Sequence, residues 1–155
     1  TRSLPEEERA RIAAAYWKPH RLAVRASIAR ALRSGRSVLH VSVHSFTPEL
    51  DGVVRNADLG LLYDPRRADE VGVVRAWQAA LAAVDPGLRV RRNYPYRGVA
   101  DGHTTVLRRA FPAGYAGLEL EVNQALLRAD PARARRAVVE SVRVVVDAAR
   151  KGEWA

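Results

Sequence analysis

Residues 38–52, "VLHVSVHSFTPELDG", decide how the chain is read. The stretch is mostly apolar and β-branched through Val43, then turns polar at His44 and Ser45 and meets Pro48. That is a buried strand followed by an exit loop. Two histidines lie on it, His40 and His44. On a helix, that spacing would place both rings on one face, as in common zinc sites. On a strand, four residues at about 3.3 Å each put them roughly 13 Å apart, so one metal cannot take both. His44, at the carboxyl end, is the better candidate, because ligand sites in α/β sheets lie outside the carboxyl ends of the strands. His40 reads as a hydrogen-bonded core histidine.

The same reading extends outward. "SLPE" from Ser3 has the capping-box form, and a helix is expected from about Pro5 to Trp17. Pro19 is expected to interrupt it. A second helix is expected over His20 to Ser34, with Leu22, Val24, Ile28 and Leu32 on one side and Gly35 as the stop. Strands are expected at 37–43, 57–63, 88–93 and 117–123, and helices at 67–84 and 130–152. Asp130 should cap the last helix, with Pro131 in its first position. Residues 94–103, "YPYRGVADGH", read as a long loop. Strands alternating with helices predict a single α/β domain over 1–155, its mostly parallel or mixed sheet covered by helices on both faces.

Composition narrows the function classes. The chain has 155 residues, enough for one real core. It has no cysteine, so disulfides and thiolate metal sites are excluded and any metal must use His, Asp or Glu. No apolar run is long enough to span a bilayer, and the start carries no signal-peptide core, so no membrane partner and a cytoplasmic location are expected. The formal charge of +9 raises the question of nucleic acid. The arginines are scattered along the whole chain beside heavy Ala and Val usage, which is the pattern of a coding bias rather than of a binding face. Nothing in the sequence fixes an oligomeric state.

"GLELEVNQ", from Gly117, poses a second question. Leu118, Leu120 and Val122 face one way and Glu119 and Glu121 the other. Carboxylates between apolar strand residues need partners. A solvated acidic face and a general base or metal ligand fit the spacing equally.

Four segments in order, "HVSVHSFTPELDG", "RNADLGLLYDPRR", "RRNYPYRGVADGHTTVLRR" and "GLELEVNQ", resemble the N-formylglutamate amidohydrolase family, a branch of zinc carboxypeptidase-like hydrolases. The resemblance runs from about Leu4 through Gln124. It implies a carboxypeptidase- or phosphorylase/hydrolase-like fold and the hydrolysis of N-formyl-L-glutamate to formate and glutamate. It implies His44 in "HSF" as a zinc ligand and Glu121 in "EVN" as the catalytic carboxylate, a choice that spacing leaves open. Zinc would lower the pKa of its water and polarise the formyl carbonyl. Such a small-molecule substrate presents carboxylates, which arginine binds in a fork. In the context of these motifs, Arg55 and Arg97 are the clamp candidates, with Asn93 and Tyr96 as hydrogen-bonding neighbours. The family completes its zinc site with a histidine and a glutamate from an N-terminal segment, and no counterpart of that segment stands in this sequence. The chain is therefore expected to be the C-terminal half of an amidohydrolase domain, with two further zinc ligands outside it. The alternatives are a related zinc peptidase, another N-acyl amino acid deacylase, or a basic binding module without catalysis. His20 and His103 have no assigned role.

Overall fold

The structure is a computed structural model and describes residues 4–151. The capping-box serine, Ser3, lies outside the described residues. Helix α1 (Glu6–Ile12), a π-helical segment (Ala13–Trp17) and helix α2 (Lys18–Arg33) follow one another without a break. The interruption expected at Pro19 does not occur. Proline has no N–H and its ring crowds the carbonyl four residues back. The widened π turn just before it accommodates both, so the backbone stays helical through Trp17 and Lys18. The buried stripe of α2 is Val24, Ile28 and Leu32. Leu22 is two positions from Val24, on the opposite side of the helix, and is exposed. Gly35, at φ +77°, ends α2 as expected.

The four-stranded sheet is mixed. Its order is β1 (Val38–Phe46), β6 (Tyr115–Asn123), β4 (Leu59–Leu62), β5 (Val90–Arg92). β1 and β6 are parallel, β6 and β4 antiparallel, β4 and β5 parallel. A small hairpin, β2 (Glu49–Leu50) with β3 (Val53–Val54), follows β1. Its turn residues, Asp51 and Gly52, both have positive φ, the form that an Asp-Gly pair favours.

One sheet face is dry. Leu59, Leu61, Leu118, Leu120 and Val122 pack there against α3 (Ala68–Val84) and α6 (Pro131–Lys151). The Trp77 indole N–H donates to Ser141 Oγ at 2.9 Å and joins the two helices. The Asp130 carboxylate accepts from the Arg133 N–H at 2.8 Å, the expected cap of α6. The other face carries the polar residues of β1 and β6. It is covered by α2 and by α4 (His103–Ala110), whose Leu107 packs with Ile28 and Tyr115. Helix α4 is not among the helices expected from the sequence. A last short helix, α5 (Gln124–Ala129), is capped by the Asn123 side chain, which accepts from the Ala125 N–H. No helix among the described residues is long and apolar enough to cross a membrane.

A buried ion pair ties the polar face together. The Arg108 guanidinium donates to Glu70 Oε1 at 2.8 Å, to the Gly98 carbonyl at 2.6 Å and to the Gly117 carbonyl at 2.5 Å. Glu70 also accepts the N–H groups of Asp64 and Gly117. Glu70 is fully buried and Arg108 nearly so. The cluster thus joins α3, α4, β6 and the loop after β5. Glu70→Ala leaves a buried cation unpaired and is expected to cost about 3–5 kcal/mol in denaturant unfolding. A loss below about 1 kcal/mol, the scale of an exposed pair, would contradict this account.

Candidate active site

The site grows out of strand register. In the β1–β6 pairing, His44 stands opposite Glu121, Ser42 opposite Glu119 and His40 opposite Gly117. Because the strands are parallel and neighbours lie about 4.8 Å apart, His44 and Glu121 project side by side from one face, near both carboxyl ends. On the far side of Glu121 the antiparallel partner is Gly60.

The two glutamates of β6 live in different environments. Glu119 is half-buried and accepts the Thr104 hydroxyl at 2.6 Å. Glu121 is 5% exposed, and its Oε2 is buried with no hydrogen-bond partner among the described residues. Burial holds its carboxyl above the usual carboxylate range, and the charges of His44 and Arg55 offset part of that rise. His44 itself is exposed.

Arg55 comes from the segment between the hairpin and β4. It is half-buried and donates to the Tyr96 hydroxyl at 3.1 Å, its guanidinium 5.1 Å from the ring centroid. Arg55 and Tyr96 are therefore a unit near Glu121. Arg97 is exposed and makes no side-chain hydrogen bond among the described residues. Asn93 holds its loop. Its Oδ1 accepts the N–H groups of Tyr63 and Gly98, both at 3.0 Å, so that oxygen is committed to the loop. Its φ of +49° is one that Asn tolerates better than most residues. No periodicity marks such a lock. The local sign is an Asn at a strand end within a turn-rich run.

His40 is satisfied, as expected. Its Nδ1 pairs with the Tyr115 hydroxyl at 2.8 Å and its Nε2 with Ser42 Oγ at 3.3 Å. His103 lies 6.3 Å, centroid to centroid, from both His20 and His40. Burial pushes the pKa of His40 and of His103 down. Among the described residues, no group of three His, Cys, Asp or Glu can hold a metal ion. A catalytic zinc takes three protein ligands and an open position. His44 and the unpaired Glu121 oxygen are donors of the right kind, but they do not complete such a site by themselves.

The raised pKa of Glu121 has a consequence for stability. The fold favours its neutral form, so its contribution is fully present below the unfolded value of about 4.3 and is lost as pH rises through the higher folded value. Glu121→Gln removes that loss. The variant is expected to melt above the parent at neutral pH, with the gap closing as pH falls toward 4. A variant that melts at or below the parent at neutral pH would contradict the burial argument.

The fold is shared with known proteins. A gene product of Agrobacterium tumefaciens has a solved structure that superposes with a TM-score of 0.71 at 31% identity, over 97% of this chain and 57% of that one. The solved N-formylglutamate amidohydrolase from Ralstonia eutropha JMP134 shares the fold at a TM-score of 0.65 and 20% identity, over 92% of this chain and 56% of that one. The chain therefore spans a little over half the length of these relatives. No curated protein matches it. A family model described as N-formylglutamate amidohydrolase matches residues 1–128, which hold β1, β6, His44 and Glu121. With that match over most of its length, the chain belongs to the N-formylglutamate amidohydrolase family.

Proposed function

We propose that this chain forms part of an amide hydrolase acting on small N-acyl amino acids, with N-formyl-L-glutamate as substrate and formate and glutamate as products. The observation that carries the reading is the buried, unpartnered Glu121 oxygen beside His44 and within electrostatic reach of Arg55. Such an oxygen is a proton acceptor with nothing to accept. As the carboxylate, it takes a proton from a water whose oxygen attacks the formyl carbon. The C–N bond then breaks, and Glu121 returns the proton to the leaving amine, so the carboxyl ends as it began. Burial raises its pKa toward working pH, which suits a group that must both take and give. Arg55, steadied by Tyr96, is the clamp for a substrate carboxylate, and its charge also favours the ionised base. Zinc is the proposed cofactor. His44 would supply one ligand, and a bound zinc would lower the pKa of its water and polarise the formyl carbonyl.

Four variants test this in the full-length protein. Glu121→Gln is expected to lower kcat by 10²–10⁴-fold, the usual range for a lost general base. Glu119→Gln should keep most activity and lose stability, because it weakens only the Thr104 bond. Arg55→Ala should lower kcat/KM by about 2–3 kcal/mol, the scale of a charge-assisted hydrogen bond, and Arg97→Ala by much less. A Glu121→Gln enzyme with near-parent kcat would overturn the assignment of the base.

A further inference from the structure

We propose that the main-chain carbonyl of Tyr94 accepts the N–H of the scissile amide, and that Gly60 sets specificity for amides by leaving room for it. This rests on the amide-hydrolase reading above. Gly60 faces Glu121 across the β4–β6 pairing, so any side chain at 60 would project from the catalytic face. A Cβ built there would overlap the Tyr94 carbonyl oxygen and lie 3.3 Å from the Glu121 Cβ. The carbonyl therefore occupies the space of the missing side chain, beside the stem of the base. The φ of Gly60 is not positive, so it is space and not backbone conformation that requires glycine here.

The carbonyl is held there by its loop. Asn93 donates its N–H to the Leu61 carbonyl at 2.9 Å, while its side-chain oxygen takes the N–H groups of Tyr63 and Gly98. Gly98 packs so closely on Tyr63 that a Cβ would overlap its backbone, and its own carbonyl accepts from the buried Arg108 at 2.6 Å. A loop fastened at both ends cannot move the Tyr94 carbonyl far. Yet that oxygen accepts no hydrogen bond among the described residues. A fixed, unpaired acceptor beside the Glu121 stem suits a ligand that brings a donor. The amide of an N-acyl amino acid brings one N–H, and leaving it unpaired once bound and desolvated would be costly. An ester oxygen in the same place has only lone pairs and would be repelled. Sites built to pair a substrate N–H discriminate strongly against analogues that lack it.

The test compares N-formyl-L-glutamate with its ester counterpart, O-formyl-2-hydroxyglutarate, in the full-length protein. Gly60→Ala forces the carbonyl away. It is expected to lower kcat/KM for the amide by on the order of 10-fold or more while changing the ester little, so that the amide-to-ester ratio falls. Asn93→Ala adds no bulk but loosens the loop, and should move the ratio the same way. It decides the matter if Gly60→Ala does not fold. Equal losses on both substrates, or an unchanged ratio, would overturn the role given to Tyr94 and Gly60 alone. A parent that cleaves neither substrate would overturn the hydrolase reading, and this inference with it.

Discussion

Nine consecutive residue pairs, from Val38 with Tyr115 to Phe46 with Asn123, join β1 to β6 in parallel. The geometry of the site follows from that register. A slip of one residue would turn Glu121 into the dry core and bring Leu120 or Val122 to the polar face. The alternation of Leu118, Leu120 and Val122 with the two glutamates makes such a slip prohibitively costly, because those side chains bury against α3 and α6. Asn123 closes the strand. Its N–H donates to the Asp58 carbonyl and its carboxamide to the Ala57 carbonyl, and together these tie the end of β6 to the start of β4.

Two glutamates on one strand face thus acquire different chemistry from their surroundings alone. Glu119 lies deeper along the strand and spends its carboxylate on Thr104. Glu121 is more buried and has one oxygen unspent. A protein selected for stability alone would have paired that oxygen, or replaced the residue. Of the two buried side-chain atoms without a hydrogen bond among the described residues, Arg67 Nε still lies 3.4 Å from Glu70, whereas the Glu121 oxygen has no such counterpart. The surrounding structure is correspondingly stiff. The Glu70–Arg108 pair and the Asn93 lock hold the polar face and the 93–98 loop in one arrangement. The groups around Glu121 therefore need little rearrangement to meet a ligand.

The elements that repeat a pattern were legible in the sequence. The four strands, the helices at α3 and α6 and the Asp130 cap follow from periodicity and turn residues. His44 at a strand end was legible for the same reason, and the choice of Glu121 over Glu119 came from the resemblance. What was not legible depends on contacts distant in sequence. Pro19 stays within a helix because a π turn precedes it, which no propensity reports. Helix α4 is short and follows a run of Gly, Asp and Ala that reads as loop. Glu70 and Arg108 look like two surface charges among many until α3 and α4 bring them together, 38 positions apart. The locking role of Asn93 and the need for glycine at Gly60 were hidden for another reason. One acts through backbone groups and the other through the absence of a side chain.

The central claim is that His44 and Glu121 form one electrostatic unit, set by register. Carbon-detected NMR titration of the Glu121 carboxyl, in the parent and in His44→Ala, tests it most directly. Removing the His44 side chain takes away a coulombic interaction that offsets part of the burial of Glu121, so the carboxyl pKa should rise further in the variant. An unchanged or lower pKa would mean that the two side chains do not stand together, and the site described here would not exist.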